Sequence, residues 1–174
     1  MKKIALILLL LIGINTAQSA EILNGTIVRA YPRKPISTEN YQIGDFVYFV
    51  NPIDMWQGNK ILIPESTVFT GHIATLHMPV QGVNASMSMK INKMILPNGK
   101  QYDIDATITH KGKEILGGEQ TNPASYNTSI HYIAPFRGVK QWVPSGEWEF
   151  GSHITLTQKN ELYITFTNNL ILED

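Results

Sequence analysis

The sequence predicts an all-β, single-domain fold: an antiparallel, barrel-like β-sandwich preceded by a signal peptide. Two observations carry that prediction. Apolar and polar residues alternate over short runs rich in Val, Ile, Thr, Tyr and Phe, and breaks of Gly, Pro and Asn separate those runs at short spacing. Helical periodicity is nearly absent, so the elements must bury one face of a sheet against another sheet or close it on itself.

The chain has 174 residues, a length suited to one domain with a real core. Its first twenty, MKKIALILLLLIGINTAQSA, set Lys2 and Lys3 before an apolar run from Ile4 to Ile12 and end in the small residues Ala17, Ser19 and Ala20. That is the layout of a secretory leader, and the run is far shorter than the ~20 residues of a membrane-spanning helix. Cleavage after Ser19 or after Ala20 fits, giving a leader over 1–20 and a domain over 21–174 with no transmembrane helix. The total is 14 basic and 14 acidic residues; without Lys2 and Lys3 it becomes 12 against 14, a net charge of −2. Nucleic-acid binding gains no support, because phosphate contacts need a concentrated basic surface. Cysteine is absent, which excludes disulfides, thiolate metal sites, a cysteine nucleophile and a lipidated cysteine.

Glu21 to Ala30 reads as a first strand, and Pro32 and Pro35 then force an extended connection through Asn40. Gly44 to Val50, apolar on both faces, reads as a central strand. Asn51-Pro52 and Gly58-Asn59 bound a loop carrying Trp56. The run KILI ends at Pro64, which cannot donate to a ladder; Glu65-Ser66 turns the corner into Thr67–Ile73, where Gly71 leaves room for a bend or a close approach. From Ala85, the residues Met87, Met89 and Ile91 share one face, but Met94 and Leu96 continue on the other parity. One extra residue does this, so a β-bulge is expected near Asn92 and Lys93. Pro97-Asn98-Gly99 joins this strand to Lys100–Thr109 as a hairpin, with Tyr102, Ile104, Ala106 and Ile108 facing the core. Residues 117–151 read as a loop-rich insertion around one short strand near Ile130. Ile154 and Leu156, a turn at Lys159-Asn160, and Leu162, Ile164 and Phe166 read as a closing hairpin.

Candidate chemistry is sparse. Asp103 with Asp105, and Glu147 with Glu149, each place two carboxylates on one strand face, the minimum for a small envelope hydrolase or a hard-cation site. Charged residues opposite a buried face more often simply stay in water. His72, His77, His110, His131 and His153 lack the close pairs of a zinc site, and His72 and His77, five apart, are expected on opposite faces. Met78, Met87, Met89 and Met94 with His77 offer soft ligands for copper, yet three of these methionines sit at core positions, where Met fills gaps. Gly151-Ser152-His153 sets serine beside histidine, but adjacent strand residues point apart. No motif calls for a cofactor or metal. The aromatic cluster is the most function-like feature: Trp56, Phe136, Trp142 and Trp148 lie in predicted loops, where rings either bind partners or cap the barrel ends.

The order of these motifs resembles the C-terminal β-barrel domain of the scaffold proteins of bacterial type IV secretion and conjugation core complexes. The resemblance rests on Gly25-Thr26, GDFVYFV, Leu62-Ile63-Pro64 with Ser66 and Gly71, the Pro97-Asn98-Gly99 hairpin, Gly117-Gly118 and Pro144-Ser145-Gly146, and spans most of residues 22–168. Those scaffolds carry an inner-membrane helix, a proline-rich region and a helical antenna. This sequence shows only a leader and no apolar or amphipathic 20-residue helix in the antenna interval, so pore formation is not implied. The expectation is a non-enzymatic, exported binding or assembly module of the periplasm or cell envelope, engaging another envelope protein or itself through a strand edge or the aromatic loops.

Overall fold

The computed structural model describes residues 20–133 and 137–172; the expected leader up to position 19, and Phe136, lie outside the described residues. Fifteen strands and no helix occur among them. In chain order they are β1 (Ala20–Ile22), β2 (Ile27–Pro32), β3 (Ile36–Ser37), β4 (Phe46–Val50), β5 (Met55–Gln57), β6 (Lys60–Ile63), β7 (Val68–His77) and β8 (Ser86–Ile95). Then follow β9 (Gln101–Thr109), β10 (Leu116–Gly117), β11 (Pro123–Ile133), β12 (Arg137–Trp148), β13 (Thr155–Leu156), β14 (Leu162–Phe166) and β15 (Leu170–Leu172).

Six strands close an antiparallel barrel in the order β8, β7, β4, β2, β14, β9, with β9 returning to β8. Closure removes the sheet edges that an open sandwich would expose. Short pairs decorate the barrel: β1 with β15, β3 with β13, β5 with β6, and β10 on β8.

The interior is built by alternation. Val47 and Phe49, Phe69 and Ile73, Met87, Met89 and Ile91, Ala106 and Ile108, and Leu162, Ile164 and Phe166 are all buried. Phe69 and Phe166 meet edge to face across the interior, with centroids 6.4 Å apart and planes at 77°. Each such ring contributes about 1.5–3 kcal/mol by burial, and the pair geometry about 0.5–1.5 kcal/mol more. The bulge expected at Asn92 is present: pairing with both neighbours skips from Ile91 to Lys93, which returns Met94 to the core. The Pro97-Asn98-Gly99 turn also forms, with Gly99 at φ +86° and Lys100 N donating to Asn98 Oδ1 at 2.9 Å.

Several elements differ from expectation. The strand read over Glu21–Ala30 is two, split by a turn in which Gly25 takes φ +82° and donates its N–H to Phe166 O. Trp56 lies not in a loop but on β5, because Gly58-Asn59 is the two-residue turn of the β5–β6 hairpin. The run over Phe46–Val50 is apolar on both sides because the barrel wall leaves Phe46 and Tyr48 outside, exposed. The closing hairpin is not one: β13 pairs with β3, and β14 runs between β2 and β9. A register shift between Ile73 and Thr75 reverses the parity of β7, so His72 and His77 both face outward, opposite Lys90 and Ser86. Most consequential, the region read as loops over 117–151 contains β11 and β12, a long hairpin.

The corner at Pro64 forms as the sequence implied. Ser66 takes φ +64° and donates its N–H to Asn51 O at 3.0 Å, while Thr67 Oγ1 donates to Pro64 O at 2.7 Å. Gly71 faces inward where β7 presses on β8, and a Cβ there would lie 2.0 Å from Lys90 O and 2.9 Å from Ile91 Cα.

Candidate functional site

The most distinctive feature of the surface is the arm formed by β11 and β12. Its strands have 11 and 12 residues and at ~3.3 Å per residue reach roughly 35 Å. Among the described residues they pair only with each other. The sequence hid this ribbon because Ser, Asn, Thr, Gly and Pro dilute its alternation; the usable signal was the sequence YNTSIHYI, whose β-favouring residues occur every second position.

The register places Tyr126 opposite Pro144, Thr128 opposite Trp142, and Ser125 opposite Ser145. Alternation therefore sets Tyr126 and Trp142 on one face of the ribbon and Ser125, Asn127 and Ser145 on the other. Tyr126 is exposed and Trp142 is 64% exposed, whereas Ser125 Oγ and Ser145 Oγ lie 2.7 Å apart on the polar face.

The base of the arm is anchored by backbone hydrogen bonds to the segment after β7. Gly82 N donates to Glu149 O at 3.0 Å, Thr121 N donates to Gly82 O at 2.9 Å, and Gly151 N donates to Val80 O at 2.9 Å. Trp148 is half-buried here, and a Cβ added at Gly82 would come into ordinary contact with its Cβ and the near edge of its ring, at 3.5–3.9 Å. Of the four aromatics singled out in the sequence, the structure thus puts Trp142 on the arm and Trp148 at its base. Trp56 is exposed on the β5–β6 hairpin, and Phe136 lies outside the described residues. Met78, Val80 and Phe150, exposed around the base, were not singled out as contact residues; their apolar side chains beside a glycine turn were the available signal.

The other candidates are placed as follows. Asp103 and Asp105 are exposed on the outer face of β9, and Glu147 and Glu149 are exposed at the arm base. Neither pair lines the grooves that open beside β10 or beside β2. Met87, Met89 and Met94 are buried in the barrel, Met78 is exposed, and His77 faces outward, so these residues do not converge on one point. His153 Nδ1 sits 3.1 Å from Thr38 Oγ1, just past β3, and Ser152 N donates to Asn84 Oδ1 in the segment between β7 and β8, so that dipeptide ties the chain leaving the arm to both.

A polar cluster on the barrel wall joins β2 to β14. Glu161 accepts from Tyr163 Oη, from Tyr31 Oη at 3.3 Å and from Arg29 Nε at 3.2 Å. The hydroxyl of Tyr163 above all holds the Glu161 carboxyl below its ordinary range against an opposing effect of burial, with the Arg29 charge and the Tyr31 hydroxyl adding lesser amounts in the same downward direction. The same hydrogen bond and the Glu161 charge hold the Tyr163 hydroxyl protonated above its ordinary range. This is a strut across neighbouring strands, open to solvent.

Fold and site together define a closed six-stranded β-barrel that carries a projecting β-ribbon. No protein-family model matches the chain, and no curated protein does. Among solved structures it is similar to ComB10 of the Com type IV secretion system of Helicobacter pylori. The two are 10% identical with a TM-score of 0.49, over 87% of this chain and 89% of that one.

Proposed function

We propose that the chain is an exported binding or assembly module of the cell envelope, acting through protein contacts made by its arm rather than through catalysis. The observation that carries this reading is the ribbon of β11 and β12, which pairs with no other described strand and exposes Tyr126 and Trp142 on one face. An isolated two-stranded ribbon is marginal in water. Exposed aromatic residues on a rigid projection are the composition of contact surfaces. Export is supported by the basic, apolar and small-residue layout of the first twenty residues.

The test is photo-cross-linking in the native cell from an unnatural amino acid at Trp142 or Tyr126, with the same reagent at Asp103 on the barrel wall as control. Discrete protein adducts from the arm positions and none from the control are expected. Equal absence from both arm positions would sink the assembly reading. Sequencing the amino terminus of the chain recovered from those cells checks export separately: a start at Ala20 or Glu21 is expected, and an intact Met1 contradicts it.

A further inference from the structure

Away from the arm, a groove of about 290 Å³ opens beside β10. Its floor is apolar and fixed by packing. Leu116 and Leu156 are buried, and Ile154 presses onto β10 at Gly117, where a Cβ would lie 2.0 Å from Ile154 Cδ1. Taken at about 30 Å³ per non-hydrogen atom, the share of one water in the liquid, the groove holds roughly ten such atoms.

The rim is polar, and what it offers a ligand is chiefly donors. Asn160 Oδ1 already accepts from Thr157 N at 2.7 Å and from Thr157 Oγ1 at 2.9 Å, which leaves Nδ2 to donate elsewhere. His110 Nδ1 donates to Glu161 O at 3.0 Å, fixing the ring. His110 and Lys113 exchange backbone hydrogen bonds at 2.9 and 3.0 Å, so Lys111 and Gly112 form a two-residue turn at the edge of the groove. Among the described lining residues Glu119 is the one carboxylate, and two lysines against it give a net charge of +1. A second observation singles out Lys111: it takes φ +50°, with Gly112 following at φ +76°. Turns of this kind favour Asn-Gly, and a lysine there is strained. No described hydrogen bond or ion pair uses the ammonium of Lys111 or of Lys113.

We infer that this groove binds a small amphipathic anion. Its single carboxylate or phosphate head is held by Lys111, Lys113 and Asn160 Nδ2, and its short apolar body lies on Leu116, Ile154 and Leu156. The two halves of the site explain each other: an apolar floor alone would take any greasy molecule, and two solvated lysines alone would take any anion. The site shares no residue with the arm, so it holds whether or not the arm docks a protein.

The probe is octanoate, which matches the groove in size, titrated into the purified chain beginning at Ala20 while the methyl NMR signals of Leu116, Ile154 and Leu156 are followed. Saturable shifts are expected with a dissociation constant of roughly 1 mM or tighter, weakening with added salt. Octyl phosphate tests the other head: binding of either supports the site, and the tighter of the two names the head. Octanol binding as tightly as octanoate, or inorganic phosphate binding as tightly as octyl phosphate, overturns the inference, since the lysines or the floor would then contribute nothing. Two substitutions at exposed side chains must move the affinity in opposite directions. Lys111→Asn, which suits the turn and so keeps the fold, is expected to weaken octanoate binding roughly three- to fivefold, and Glu119→Gln to tighten it by a similar factor. Absence of saturable shifts at the three residues, or a change of the same sign in both variants, overturns the inference.

Discussion

Replacing Gly71 with alanine tests how tightly the barrel wall is built. The backbone of Gly71 lies outside the positive-φ region, so the substitution introduces no conformational strain, only volume. The added Cβ would stand 2.0 Å from Lys90 O, 2.7 Å from Ile91 Cδ1 and 2.9 Å from Ile91 Cα. The isoleucine methyl can turn away, but the carbonyl and Cα belong to β8, so the β7–β8 ladder must separate locally beside the bulge. Overpacking of this kind costs about 1–3 kcal/mol, and the backbone atoms involved place the expectation near ~3 kcal/mol. In a domain of this size that lowers Tm by roughly 6–12 °C. Gly99→Ala is the complementary control: nothing lies within 4 Å of its would-be Cβ, and its cost is the positive φ alone, about 1–2 kcal/mol. Urea unfolding followed by tryptophan fluorescence and far-ultraviolet dichroism measures both variants. A Gly71→Ala protein within about 0.5 kcal/mol of wild type, the range of ordinary surface changes, would falsify the close approach of β7 and β8.

Met89→Ala should cost about 2–5 kcal/mol in the same assay, because it empties part of the barrel core. Trp142→Ala should leave stability within about 0.5 kcal/mol of wild type while abolishing arm cross-links; a large loss of stability would show the ring packing into the fold instead. Glu161 ionises more readily in the folded chain than in the unfolded one. Its contribution is therefore complete above the unfolded carboxylate value of about 4.3 and is lost as pH falls through the lower folded value. Glu161→Gln should flatten that acid limb of the stability curve, and an unaltered limb would count against the strut to Tyr163 and Arg29. Native-state hydrogen exchange should find the amides of β11 and β12 opening well before those of β8 and β9, since the ribbon is not part of the barrel sheet.

The sequence was legible where one residue type settles a local geometry. Asn98-Gly99 fixed a hairpin, Pro64 fixed a corner, and the change of parity after Ile91 located a bulge, because each acts on the backbone directly. The Asn24-Gly25 and Gly58-Asn59 turns carried equally clear signals, but β-favouring neighbours on both sides masked the first, and a short partner strand hid the second. Pairing partners were less legible: nothing local tells β13 to choose β3 over β14, since that choice is made by barrel closure. The arm was least legible, because a ribbon that buries neither face in the barrel leaves only a weak apolar alternation to detect. Of the four aromatics singled out, Trp56 and Trp142 are exposed but on strands rather than in the predicted loops, while the position of Trp148 beside Gly82 depends on a tertiary contact that no spacing reveals.

The pairing of β1 with β15 sets Ala20 opposite Leu172, and the same two lengths of chain run on together as β2 beside β14, from Ile27 opposite Thr165 to Ala30 opposite Leu162. Tension applied between Ala20 and Leu172 therefore loads one bridge at a time, in the manner of a zip fastener, rather than shearing a whole ladder at once. The fold is weakest against a pull that enters through these two neighbouring residues.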